Sequence, residues 1–126
     1  MSAAKRFSGK TVEAVHDGKI LGIRAGTKPH RIIGIWAVVV EGRVFVRSYS
    51  LKPRSWWRTF QEEPRGIIEV NGKQFKVRPV FTRSERLKKL VDRAYAEKFP
   101  TPGSRQFVEG FKKKARRDTT TELVPL

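Results

Sequence analysis

Two tight turns constrain this chain more than any other feature. Glu41-Gly42 separates the apolar run Ile32 to Val40 from Arg43 to Arg47, where Val44 and Val46 alternate with Arg43, Phe45 and Arg47. Asn71-Gly72 separates Ile67, Ile68 and Val70 from Phe75 and Val77. Two-residue connections of this kind match the right-handed twist of paired strands, so residues 32–50 and the segment around Asn71-Gly72 are each expected to form a β-hairpin. The run Ile32 to Val40 is too short and too β-branched for a comfortable helix. It reads as a strand buried on both faces, which a helix or a second subunit must cover.

The remaining elements follow from periodicity and caps. Leu21, Ile23 and Ala25 alternate with Gly22 and Arg24 in a strand that ends at Gly26. Pro79 cannot donate to a ladder, so its strand is expected at an edge or with a bulge. A short helix through His16 would start at Thr11 and stop at Gly18, and another is expected over Pro53 to Glu63, capped by Ser55 with Trp56 and Phe60 on one face. Thr82-Arg-Ser-Glu85 reads as a capping box ahead of Leu87, Leu90, Val91, Ala94 and Tyr95, which recur at helical spacing before Pro100. Residues 101–118 are less regular, as are residues 1–18, and Thr119 to Leu126 favours a last strand. The count is five or six strands with one long and one or two short helices. That predicts an α+β chain, a small six-stranded, mainly antiparallel barrel occupying residues 1–126 as one domain.

Several chemistries lack their residues. The chain has no Cys, which removes disulfides, thiolate metal sites and thiol nucleophiles together. His16 and His30 have no His or Cys partner at ligand spacing, so no structural metal is expected. No nucleophile elbow, phosphate loop or dinucleotide-fold glycine pattern is present, and Glu62 and Glu63, adjacent on a helix, point apart. The longest apolar run falls far short of the roughly 20 residues of a membrane span, and no export signal follows Met1, so a cytoplasmic protein without a membrane partner is expected. Trp36, inside the apolar strand, reads as a core residue.

Charge points to the partner. The net charge is +16, and from Lys19 through Arg58 there are nine basic residues and a single acid, Glu41. Within that stretch, residues 47–58 carry Arg47, Ser48, Tyr49, Ser50, Lys52, Arg54, Ser55, Trp56, Trp57 and Arg58 without one carboxylate. Guanidinium and hydroxyl donors satisfy phosphate oxygens, a helix start adds free N–H groups, and indole faces stack on flat heterocycles. Phosphate plus an aromatic ring describes a nucleotide or a flavin. The alternative is a non-catalytic basic barrel that binds nucleic acid, through the run Lys112, Lys113, Lys114, Arg116 and Arg117.

The strand Ile32 to Val40, the turn Val40-Glu-Gly-Arg43, the strand Val44-Phe-Val-Arg-Ser48, the helix start Ser55-Trp-Trp-Arg58, the hairpin Glu69-Val-Asn-Gly-Lys73 and the helix end Ala94-Tyr-Ala-Glu-Lys-Phe99 together resemble one family. It is the bacterial family catalogued as domain of unknown function 2255, and the resemblance runs from about Ile20 to Pro125. That family is similar in turn to the FMN-binding split β-barrels, which include pyridoxamine phosphate oxidases and deazaflavin-dependent nitroreductases. The resemblance implies a six-stranded split barrel, a homodimer, and a flavin, FMN ahead of a deazaflavin, at the subunit interface. It places the flavin phosphate at Arg47, Ser48, Ser50, Lys52, Arg54, Ser55 and Arg58, within the segment that charge counting singles out. The redox chemistry of an oxidoreductase of this kind resides in its cofactor, which fits a chain without a catalytic side-chain set.

Overall fold

A computed structural model describes residues 6–126. The described residues form β1 (Leu21–Ala25), β2 (Ile33–Ile35), β3 (Ala37–Val40), β4 (Arg43–Val46), β5 (Gly66–Val70), β6 (Lys73–Phe81) and β7 (Thr121–Pro125), with helices α1 (Gly9–Asp17), α2 (Trp56–Glu62), α3 (Glu85–Lys98), α4 (Pro102–Phe111) and α5 (Lys114–Arg117). All strand pairs are antiparallel, in the order β2-β1-β5-β6-β7-β4-β3. The two ends of this sheet, β2 and β3, are joined by the single residue Trp36. One bent segment therefore closes the sheet into a nearly complete barrel. The expected strand over Ile32 to Val40 is broken at Trp36, which turns six expected staves into seven strands.

Both hairpins form where the turn residues place them. Glu41 and Gly42 adopt φ of 55° and 71°, and Asn71 and Gly72 adopt 50° and 76°, so each turn has the doubly positive φ that strand twist demands. The β3–β4 ladder pairs Val38 with Phe45 and Val39 with Val44, and the β5–β6 ladder pairs Ile68 with Phe75. Pro79 departs from expectation, since β6 pairs with β5 on one side and β7 on the other. It is tolerated because β5 ends at the Gly66–Val77 pair, so the stretch around Pro79 borders β7 alone.

The caps differ from the expected ones at two helices. Ser8 rather than Thr11 caps α1, accepting from Thr11 N at 3.3 Å. Ser84 rather than Thr82 caps α3, accepting from Leu87 N at 3.2 Å, because Thr82 is drawn into the sheet by a bond from its N–H to Thr120 O. Ser55 caps α2 as expected. Residues 101–118 are more regular than their sequence suggests, forming α4 behind the Thr101 cap and then the short α5.

Two apolar clusters hold the fold. One fills the barrel with Ile23, Val44, Val46, Phe60, Ile68, Val77 and Leu123. The other packs Val38, Val40 and Phe45 on the outer face of β3 and β4 against Leu87, Val91, Tyr95 and Phe111 of α3 and α4. Only the β3 half of the expected apolar strand is thus buried, with helices as its outer cover, whereas Ile33 and Gly34 in β2 are exposed.

Candidate functional site

The chain leaves β4 at Arg47, crosses residues 48–54 as a loop and enters α2 behind Ser55. Between this loop, β2 and α4 lies a cavity of about 600 Å³. Its walls are aromatic and aliphatic: Ile33, Ile35 and Trp36 on the bent strand, Trp56 at the start of α2, and Phe107 and Phe111 on α4. Ser48, Tyr49, Ser50, Lys52 and Arg54 follow its loop side. Such a volume, with apolar walls and a few polar groups on one side, is typical of small-molecule sites.

The walls are a linked set of rings. Trp36 stacks on Phe99 with centroids 4.1 Å apart and planes 7° apart, and Phe107 meets Trp36 edge-on at 6.0 Å. Tyr49 packs edge-on against Phe107 at 5.5 Å and Phe111 at 5.6 Å. Phe111 stacks on Tyr95 at 4.8 Å. The Tyr95 hydroxyl accepts from Arg47 N at 3.1 Å and donates to Trp36 O at 2.9 Å, so one buried phenol pins the loop start and the strand bend together. Burial pushes the Tyr95 pKa up, which keeps it a neutral donor.

Arg47 has a different role from the one its charge suggests. Its side chain is fully buried, and its guanidinium donates to Thr120 Oγ1 at 2.8 Å, Asp92 Oδ1 at 2.5 Å, Phe111 O at 3.1 Å and Lys88 O at 2.9 Å. Burial pushes its pKa down and the bond to Asp92 opposes that. With those acceptors engaged, Arg47 is a strut between the loop, α3, α4 and the residue that leads into β7, and its guanidinium leaves the expected phosphate set. Ser48 is likewise occupied, donating from Oγ to Ser50 O at 2.6 Å and from N to Thr119 Oγ1 at 2.8 Å. Ser55 spends an acceptor on Arg58 N at 3.3 Å, which removes one of the N–H donors expected at the helix start. Arg58 lies outside the cavity, its guanidinium 5.0 Å from the centre of the Trp57 ring.

Ser50, Lys52 and Arg54 remain exposed at the rim. Ser50 Oγ accepts from Lys52 N at 3.3 Å, which leaves its own proton to donate, and among the described residues neither Lys52 nor Arg54 has a carboxylate within ion-pair distance. Of the eight site residues expected from the sequence, seven border one cavity, and these three have donors free for a ligand.

The family model of DUF2255, described as an uncharacterized protein conserved in bacteria, matches residues 10–123. The chain belongs to that family. No curated protein matches it. Among solved structures, the conserved hypothetical protein Rv2991 from Mycobacterium tuberculosis aligns with a TM-score of 0.60 at 14% identity, over 98% of this chain and 82% of its own. An FAD-binding protein from Mesorhizobium loti aligns with a TM-score of 0.55 at 10% identity, over 99% of this chain and 93% of its own. At these identities the likeness is one of fold.

In this DUF2255 chain the basic run after α4 is largely spent on internal contacts. Lys112 pairs with Glu109, Lys114 with Asp118, and Arg117 with both Asp92 and Glu85. Arg116 lies 3.9 Å over the Tyr49 ring and donates to Tyr49 O at 2.9 Å. Arg116 alone of the run therefore braces the cavity loop. No group of three or more His, Asp or Glu among the described residues is placed to hold a metal. Sequence reasoning missed Trp36, Phe107 and Phe111 as site residues. Trp36 reads as core because it sits in an apolar run, whereas it is only part-buried and lines the cavity. The one-turn spacing of Phe107 and Phe111 is the signal for an aromatic helix face, but nothing local says which cavity that face meets.

Proposed function

We propose that this protein binds a flavin, with the isoalloxazine ring in the aromatic cavity and the phosphate at Ser50, Lys52 and Arg54. The observation that carries the reading is the pairing of an apolar, ring-lined cavity of about 600 Å³ with two rim cations that have no carboxylate partner among the described residues. A planar heterocycle gains from offset or edge contacts with Trp36, Trp56 and Phe107, and an anion gains most from donors not already spent. The FAD-binding protein that shares this fold supports a flavin in general. FMN is the smallest ligand that uses both halves of the site, and a deazaflavin phosphate would use them in the same way.

A bound flavin supplies hydride and single-electron transfer, and the chain's own part is to bind, orient and shield it. Trp36 and Phe107, packed edge-on against each other, would form one wall against the ring, while Arg47 and Tyr95 hold the loop and the strand bend at a constant separation. Exposed Ile33, Tyr49 and Phe107 stand at the open side. A second copy of the chain covering that side would complete the shield, as the split-barrel resemblance implies. An oxidoreductase is the activity consistent with this arrangement, since the cavity walls offer no acid–base pair.

The test is an FMN titration of the wild type and of the Lys52→Ala/Arg54→Ala double variant, with riboflavin as the phosphate-free control. Each charge-assisted contact is worth about 1.5 to 3 kcal/mol, or roughly tenfold or more in affinity. FMN affinity is expected to fall by about 100-fold in the double variant while riboflavin binding is unchanged. Equal FMN affinity in the two proteins would overturn the phosphate assignment. The nucleic-acid reading has less support, because most of the Lys112 to Arg117 cations are already engaged.

A further inference from the structure

A smaller cavity, of about 230 Å³, shares no residue with the aromatic one and opens between the end of α1, β3 and the end of α3. Val38, Val39 and Ala94 give it aliphatic walls, and His16, Glu97 and Lys98 bring three titratable side chains to it. The amine of Lys98 is held in a defined place. Its Nζ donates to Val15 O at 2.8 Å, near the end of α1, and to Ala37 O at 2.7 Å, at the start of β3. A lysine nitrogen has three positions beyond its own carbon stem. Two are tied to these carbonyls, and the third is left for the cavity that Lys98 lines. In the ammonium that position carries a proton, whereas in the neutral amine, whose two N–H bonds suffice for the two carbonyls, it carries the lone pair. Loss of the proton therefore keeps both hydrogen bonds and creates a positioned nucleophile.

Burial favours that loss. It pushes the pKa of Lys98 down from 10.5 to about 8, against the opposing charge of Asp17 at the end of α1. The Phe99 ring, its centre 5.5 Å from Nζ, also favours the ammonium, and β3 turns only valines to the cavity. At pH 7.5 about a quarter of such an amine is free base, against roughly one part in a thousand for an ordinary lysine. We propose that Lys98 is a nucleophilic amine and that this cavity takes a small aliphatic aldehyde, which Nζ captures as an imine. Desolvated lysines in apolar pockets are suited to this chemistry. The lone pair attacks the carbonyl carbon, a C–N bond forms as the C=O π pair moves to oxygen, and a proton passes from nitrogen to that oxygen. The carbinolamine then loses its hydroxyl as water, taking one proton from the cavity wall and returning the nitrogen proton to it as the C=N bond forms. Amine and aldehyde thus give imine and water with no oxidant or reductant. His16 and Glu97 are the groups on the wall that can carry these protons, and the valines and Ala94 suit a short alkyl chain.

The experiment is reductive trapping of the full wild-type chain with propanal and cyanoborohydride, with the alkylated lysines located and quantified by peptide mass spectrometry. At pH 7.5 Lys98 is expected to be alkylated about tenfold or more faster than exposed Lys73, and that preference should narrow toward pH 10 as ordinary lysines also lose their protons. In the His16→Ala/Glu97→Gln double variant, changed at two exposed positions, trapping at Lys98 should slow by about tenfold while Lys73 is unaffected. A Lys98 that is trapped no faster than Lys73, or whose preference stays constant to pH 10 or survives both substitutions, would overturn the proposal and leave Lys98 as an anchor between α1 and β3.

Discussion

Replacing Arg47 by Met separates the strut from a phosphate ligand. Methionine keeps most of the buried stem volume, so the change isolates the guanidinium and its four hydrogen bonds. Breaking a buried ion pair costs about 3 to 5 kcal/mol when it strands a charge. Here Asp92 is not stranded, because it also accepts from Arg117 Nε at 3.1 Å. Lys88 O lies within α3, where a backbone N–H one turn on can serve it. Phe111 O, at the last turn of α4, loses its side-chain donor, at a cost of about 1 to 3 kcal/mol for a buried unpaired group. Thr120 Oγ1 loses a charged partner but still donates to Arg117 O. The removal of a desolvated charge offsets part of the loss, so the expected destabilisation is about 2 to 3 kcal/mol, read as a lower urea midpoint with an unchanged slope. Any fall in FMN affinity should disappear once the unfolded fraction is accounted for. An unchanged midpoint together with a collapsed FMN affinity would refute the strut and return Arg47 to the phosphate site.

Tyr95→Phe removes the hydroxyl that bridges Arg47 N and Trp36 O, and stability should drop by about 1 to 3 kcal/mol in the same urea assay. In Gly66→Ala the new Cβ would lie 2.4 Å from Arg24 O and 3.0 Å from the Phe60 ring, so β5 must shift, and a loss of about 1 to 3 kcal/mol or more is expected. Half-buried Lys98 donates to Val15 O at 2.8 Å and Ala37 O at 2.7 Å, and burial pushes its pKa down from 10.5 to about 8. Between those two values the unfolded chain binds more protons, so the wild type should gain stability relative to Lys98→Met as pH rises from about 8 to 10.5, which urea midpoints at the two ends will show. Nucleic-acid affinity, if measured, should change little when Lys112, Lys114 and Arg117 are neutralised, since these cations already face carboxylates; a steep loss, with a shallower salt dependence, would restore the basic-barrel reading.

What the sequence carries and what it hides divide along contact distance. The hairpin turns, the Ser55 cap and the apolar face of α3 depend on residues within a few positions of one another, and each is legible. The gathering of residues 47–56 around one cavity is also legible, because they share a loop. Arg47 is not, since its partners Asp92, Phe111 and Thr120 lie 45, 64 and 73 positions away and nothing local distinguishes a buried arginine from a solvated one. The bend at Trp36 is hidden for a similar reason. It depends on a hydroxyl 59 residues further on, while the local run of Ile and Val reads as one straight strand. The insertion of β7 between β4 and β6 depends on long-range pairing as well, so the α4 rings that β7 and α5 carry into the cavity could not be assigned to it from sequence.

The flavin site itself is tested most directly by the visible spectrum of the purified full chain during titration with FMN, alongside riboflavin. The account predicts saturable quenching of the flavin's fluorescence, a shifted and better-resolved visible band as the ring enters the Trp36–Phe107 cavity, and tighter binding of FMN than of riboflavin. A folded protein that leaves both spectra unchanged at ligand concentrations up to about 1 mM, the level of a binding free energy near −4 kcal/mol, would contradict it.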